Sequence, residues 1–211
     1  MTLDQRTHAP PSRDIPDLLR GKRISALTLT PPPETLQNRF QFRGWHSDDA
    51  PIYKQMLNDP ALWQFMPEDY PAPLTLDLAQ DLIALSQQAT HHKVRAVVWN
   101  GQIVGQMRLE WAKGATPPAS GEISYWLGRA HWGKGLSTRM VALFAYRCFS
   151  NFPALQYVAA RIHRENTRSL RVAHRLGFQA APPTPDTPDW RQFVLQRGAG
   201  PDWAALADRR G

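Results

Sequence analysis

Gly133 and Gly135 stand one residue apart in HWGKGLST (131–138), directly before LSTRMVALFAYRCF, the strongest helical stretch of the chain. Glycine takes left-handed backbone without steric cost, so a pair of them marks a loop with special geometry. The apolar run EISYWL (122–127) is predicted to be a strand. The chain then turns through the glycines into a helix over 136–149, with Leu136, Met140, Leu143 and Phe144 on one face. A helix start carries four N–H groups without intrahelical partners and a partial positive charge. Glycines there let those amides approach an anion closely, and Lys134 adds charge nearby. On the loop alone two readings stand, a plain strand-to-helix turn and a phosphate cradle. A Walker A loop is excluded, because Lys134 is followed by Gly135 and not by Ser or Thr. A dinucleotide fingerprint is excluded too, since the third glycine and an early βαβ unit are missing.

The remaining elements follow from periodicity and breakers. QFRGW (41–45) reads as a strand, and Ser47 as the cap of a helix over 48–58. ALWQFMPEDYPAP is an irregular aromatic loop. Thr75 caps a helix whose stripe is Leu78, Leu82 and Leu85, widened by Ala79 and Ile83. VRAVVW and QIVGQMRLEW flank Asn100-Gly101, a hairpin signal because both positions accept positive φ. LQYVAARIH is a strand, NTRSLRVAHRL a helix ended by Gly177, and QFVLQ a last strand, with a short strand at 178–181. This order predicts an α+β fold, with one mixed, mostly antiparallel sheet flanked by helices.

At 211 residues the chain suits one domain that hides roughly 70% of its extended surface. Residues 1–35 read as a tail and linker with PPP at 31–33, and ISALTLT (24–30) offers an added edge strand. The expected domain is 36–197, and 198–211 form a helical tail. The single cysteine, Cys148, rules out an internal disulfide and fits a reducing compartment. It reads as core filler on an apolar helix. No apolar run suits a signal peptide or a membrane span, so a cytoplasmic location is expected. The formal charge of +7 fits an anionic partner. Scattered basic residues without a zinc finger, basic zipper or RNP string disfavour nucleic acid. His91, His92, His131, His163 and His174 lack zinc spacing, so no metal is expected.

GEISYWLGRAHWGKGLSTRMVALFAYRCF, with VAARIHRENTRSLRVAHRLGF after it, closely resembles the acetyl-CoA-binding half of the GNAT acyltransferases. The nearest branch is that of the ribosomal-protein N-terminal acetyltransferases. Its loop, Q/R-x-x-G-x-G/A, is matched by Trp132, Gly135 and Ser137, so the first and last places depart from it. ENTRSLRVAHRLGF resembles the family's N-x-x-S-x-x-x-x-x-x-x-G-F segment. The resemblance runs from about Phe40 to Leu195.

That resemblance implies direct transfer from acetyl-CoA to an acceptor amine, a protein N-terminus or a small molecule, in a ternary complex. It implies a V-shaped splay between the strands at 122–127 and 155–162 that receives the pantetheine arm. Amides around Trp126, Leu127 and Gly128 would hold the thioester oxygen. Amides of Gly133, Lys134, Gly135, Leu136, Ser137 and Thr138 would hold the pyrophosphate. Asn166 either caps the helix at 167–176 or bonds the pantetheine. Ser169 either returns a proton to the CoA thiolate or bonds a helix carbonyl. Glu122 and Glu110, on adjacent strands, are candidates for the base, or simply exposed strand-end carboxylates. Gln192 holds the place where the branch often carries an acid, and Asp189 lies three residues out of register. Arg168, Arg171 and Arg175 share a solvated helix face, or reach the CoA 3′-phosphate. Trp63, Phe65, Glu68 and Tyr70 would border the acceptor pocket, or simply pack. Self-association into a homodimer stays open. The competing functions are an acyltransferase with another donor or acceptor, and a non-catalytic CoA- or nucleic-acid-binding module.

Overall fold

The computed structural model describes residues 29–71, 73–88, 90–115, 118–182, 188–201, 203 and 206. The tail up to residue 28 and the charged end after 206 lie outside these. Of the stretch 24–30, only Leu29 and Thr30 are described, and neither is in a strand. Where the linker was expected to continue, Pro33 precedes a helix, α1 (Glu34–Arg39), which sinks Leu36 into the core. Pro supplies a helix-compatible φ at such a start.

Strand β1 (Phe40–Arg43) follows, then a 3-10 turn (Ser47–Asp49) and α2 (Ala50–Leu57). Ser47 does not cap. Asp49 does the work there, its carboxylate accepting from the His46 N–H at 2.8 Å and from Arg43 at 2.6 Å. The expected loop after residue 60 contains a short helix, α3 (Pro60–Trp63), whose Ala61 N–H donates to the Asp59 side chain. Thr75 caps α4 (Leu76–Gln88), accepting from the Leu78 N–H at 3.1 Å. The α4 stripe is rotated from its expected centre: Ala79 and Ile83 are buried, whereas Leu85 is 57% exposed.

The hairpin forms as read. Strands β2 (His92–Trp99) and β3 (Gln102–Glu110) meet at Asn100 and Gly101, both at positive φ. β4 (Ser120–Leu127), a 3-10 turn (Arg129–His131) and α5 (Leu136–Asn151) come next. Then follow β5 (Tyr157–His163), α6 (Thr167–Arg175), β6 (Gln179–Ala180) and β7 (Trp190–Gln196). Trp203 and Leu206 are helical and buried, and the Trp203 indole donates to Thr30 O.

The seven strands form one sheet in the order β1-β2-β3-β4-β5-β7-β6. Every neighbouring pair is antiparallel except β4 and β5, which α5 joins by a crossover. One face carries the main core, with Met107, Leu109, Ile123 and Leu127 under Leu136, Met140, Leu143 and Phe144 of α5. Cys148 belongs to this core, 5% exposed, and burial raises its pKa. On the other face α2, α3 and α4 cover Val94, Ala96 and Trp126 with Trp45 and Tyr53. Successive side chains alternate between faces, so Tyr125 and Leu127 point to the α5 side, and Glu122 and Trp126 to the other. β3 and β4 approach so closely at Gly105 that an added Cβ would lie 2.3 Å from Trp126 O. Among the described residues, no helix is long and apolar enough to cross a membrane.

Candidate active site

β4 and β5 pair at only three positions, Ser120↔Tyr157, Gly121↔Val158 and Glu122↔Ala159. Beyond Glu122 the strands separate, while β3 stays paired to β4 as far as Leu127. A wedge therefore opens along one edge of β4. An antiparallel strand sends the backbone groups of alternate residues to opposite edges. The Gly128 N–H donates to Val104 O at 2.8 Å, which fixes the phase: Gly128 faces β3, and Leu127 faces the wedge. The expectation of oxyanion amides around Trp126, Leu127 and Gly128 is narrowed accordingly, since Trp126 shares the β3-facing phase of Gly128. Gly128's N–H is committed, and Leu127's is the one turned into the opening.

Past Leu127 the chain makes the loop read from sequence. Gly133 (φ 77) and Gly135 (φ 70) are both left-handed, and a Cβ on either would meet nothing within 4 Å. The space in front of them is open, and Gly135 is the N-cap of α5 with no side chain capping it. The helix's first N–H groups therefore face that space. Leu136 and Thr138 bury their side chains and offer only backbone there, while Gly133, Lys134 and Gly135 are exposed. Trp132 is half-buried, and its indole N–H donates to Leu127 O at 2.6 Å. The His131 imidazole next to it is held below its usual pKa by burial and by Lys134.

The far wall is the start of α6. Asn166 caps that helix, its side chain accepting from the Ser169 N–H at 3.1 Å. Ser169 does not use its hydroxyl on a helix carbonyl. Tyr125 reaches across from β4 and donates its phenol O–H to Ser169 Oγ at 3.1 Å. Burial raises the Tyr125 pKa, which the Ser169 bond partly offsets, so the phenol stays protonated. Tyr125 is the site residue that sequence reasoning missed. Its alternation with Trp126 along β4 showed that the two face opposite sides, but not which side held α6. Wedge, glycine loop, capped helix and the Tyr125–Ser169 pair thus converge on the end of β4.

Residues 39–179 match the acetyltransferase (GNAT) domain family. The chain belongs to the GNAT acetyltransferases. Over 154 residues it is 29% identical to an uncharacterized N-acetyltransferase, p20, of Bacillus licheniformis, covering 69% of this chain and 83% of that one. Two solved structures share the fold at low identity. Mycobacterium smegmatis RimJ in complex with CoA-disulfide superposes with a TM-score of 0.65 at 18% identity, covering 74% of this chain and 81% of that one. RimL, a ribosomal L7/L12 α-N-protein acetyltransferase in complex with coenzyme A, gives 0.64 at 12%, covering 82% and 98%.

On the sheet face opposite α5 the carboxylates are engaged. Glu122 receives the Arg161 Nε–H at 2.8 and 3.0 Å, and burial raises its pKa against the pull of that guanidinium. Glu110 lies opposite Glu122 in register and is bound by Arg108 at 2.6 Å. Glu122 precedes Tyr125 by three residues, about 10 Å of extended strand. Neither carboxylate therefore adjoins Ser169. Gln192 pairs with Arg161 across β5 and β7, and Asp189 is spent on Arg164 at 3.0 Å. The loop after α3 is held by its own aromatics. The Trp63 indole donates to Leu57 O at 2.7 Å and the Tyr70 phenol to Asn58 at 2.7 Å, leaving Glu68 exposed. Phe65 lies against His163, which lies against Trp190. The Glu165 N–H donates to His163 Nδ1 at 3.3 Å. No cluster of metal-ligating side chains occurs among the described residues.

Proposed function

We propose that this chain transfers an acetyl group from acetyl-CoA directly to a primary amine, a protein N-terminus or a small molecule, in a ternary complex. The observation that carries this reading is the unpaired edge of β4, which turns the Leu127 N–H into a wedge between the glycine loop and Ser169. Pyrophosphate would lie on the amides of 133–138, and the pantetheine arm along the wedge with Asn166 beside it. The amine attacks the thioester carbonyl carbon. Charge then develops on the carbonyl oxygen, where the Leu127 N–H is aimed; one such donor is typically worth about 3 to 4 kcal/mol. Collapse breaks the C–S bond and releases a thiolate. Because Tyr125 donates to Ser169 Oγ, the Ser169 hydrogen is free to go to that sulfur, and Oγ is refilled from solvent by the proton that the amine gives up, so Ser169 ends protonated. The amine's own proton passes to water, since Glu122 and Glu110 lie in ion pairs away from Ser169; either carboxylate would act only through that water.

The engaged carboxylates also favour a second reading, a CoA-binding module without catalysis. One experiment separates the two: acceptor profiling with acetyl-CoA across peptides, polyamines and aminoglycosides, following free thiol. Thiol release stimulated by one amine class supports transfer. Binding of acetyl-CoA with no class above background hydrolysis selects the binding module.

A further inference from the structure

Trp132 contacts three parts of the site at once. Its indole N–H donates to Leu127 O at 2.6 Å, its ring lies 4.6 Å beneath the Arg168 guanidinium of α6, and its own peptide leads into Gly133. The carbonyl it holds belongs to the Leu127–Gly128 peptide, whose N–H is fixed at the other end by Val104 O at 2.8 Å. That peptide is thus pinned on both sides of β4. In an extended strand a residue's N–H and C=O point to the same edge. The indole therefore approaches Leu127 from the wedge side, where β5 no longer pairs. Without it, Leu127 would present an unpartnered carbonyl beside its N–H at the place where negative charge develops. That would repel the oxyanion which the N–H attracts. A carbonyl bonded to an indole has its dipole occupied and its orientation set.

We propose that Trp132 is a positioning residue for acyl transfer, acting through its side chain: it ties down the Leu127 carbonyl so that the Leu127 N–H alone addresses the thioester oxygen. Arg168 covers the ring and keeps it in place, which registers α6 and the glycine loop to the end of β4. This rests on the acetyl-transfer reading above.

Trp132→Phe keeps an aromatic ring to lie beneath Arg168 and removes the N–H with the pyrrole part of the indole. Arg168→Ala, at an exposed position, keeps the N–H and removes the cover. For both full-length variants and the parent, three quantities are measured. They are acetyl-CoA affinity by calorimetry, amide hydrogen exchange at residues 127–128, and turnover at saturating acetyl-CoA on the amine chosen by acceptor profiling. Trp132→Phe is expected to speed local exchange and to lower kcat about tenfold or more while affinity stays within about threefold. That is below the 10²- to 10³-fold typical of deleting an oxyanion donor outright. Arg168→Ala is expected to give a smaller kcat loss in the same direction. Unchanged kcat and unchanged local exchange in Trp132→Phe overturn the proposal. So does a kcat loss matched by an equal loss of affinity with faster exchange throughout, which marks general loosening. Where no amine is turned over, local exchange decides: acetyl-CoA protects residues 127–128 in the parent and fails to in Trp132→Phe, and equal protection in both overturns the proposal. A parent that does not bind acetyl-CoA overturns the cofactor reading instead.

Discussion

The two ends of β4 solve opposite problems. Towards its start the strand is laddered to β5, at Glu122 it is paired on both edges, and that polar side chain is answered by another, Arg161. At Tyr125–Leu127 it is paired on one edge only, and backbone groups are left for something else to satisfy. The indole of Trp132 takes one of them, and the Leu127 N–H remains. The difference teaches where binding capacity comes from. It arises where a strand loses a neighbour, not where charged side chains gather.

The largest effect should come from closing the open space that the splayed end leads to. Gly135→Val places a branched side chain at φ 70, where strain costs about 1 to 3 kcal/mol, and fills the ground in front of α5. Acetyl-CoA affinity should fall more than a hundredfold, about 2.7 kcal/mol or more, in a protein that still folds; calorimetry reads this directly. Unchanged affinity would remove the phosphate from that loop.

Next in size is a pair of glycine substitutions, one at each end. Gly105→Ala drives its Cβ into Trp126 O, a backbone atom 2.3 Å away, beside the splayed end. Gly121→Ala at the paired end meets Leu109 Cδ1, a side-chain tip, at 2.8 Å and the backbone only at 3.0 Å, at Glu110 O. Overpacking costs about 1 to 3 kcal/mol, and Gly105→Ala should fall at the top of that range with Gly121→Ala below it. Denaturant unfolding that ranks them the other way would show β3 yielding more easily than Leu109.

Smaller again is the hydroxyl pair. Ser169→Ala should lower saturated turnover about tenfold, under the usual 10²- to 10⁴-fold for a general acid because a CoA thiolate is a fair leaving group. Tyr125→Phe should lower it less, since Ser169 keeps its own hydrogen. Acetyl-CoA affinity should hold in both. Turnover untouched in Ser169→Ala would leave the pair a packing contact.

The smallest effect belongs to the paired end. Burial raises the Glu122 pKa above its ordinary 4.5 in the folded protein. The group's contribution to stability is therefore full below that value and is lost as pH rises through the raised one. Glu122→Gln cannot titrate, so from pH 4 to pH 7 the parent should lose stability relative to the variant. Parallel stability curves would mean that Arg161 cancels the burial.

What was legible in the sequence followed from backbone demands. Gly133, Gly135, Asn100-Gly101 and Gly177 all mark left-handed backbone, and all five residues are found there. Thr75 and Asn166 cap because short polar side chains reach an N–H three residues on. The pairings across the fold were not legible. Tyr125 to Ser169, Glu122 to Arg161 and Trp132 to Arg168 depend on which strands separate and by how much. Residue types and spacing carry no such information. The occupied Gly128 amide needed the phase of the β3–β4 ladder, which only Val104 reveals. Short helices such as α1 and α3 escaped because each is under two turns and packs by one buried leucine, Leu36 or Leu62.

The three-pair junction between β4 and β5 also has a consequence for how the protein opens. The seam between the β1–β4 meander and the β5–β7 group has three residue pairs, against six between β3 and β4 on one side and seven between β5 and β7 on the other. Amide protection should therefore divide there, with each group exchanging as its own cooperative block. α5, lying over both, sets the free energy at which the blocks come apart.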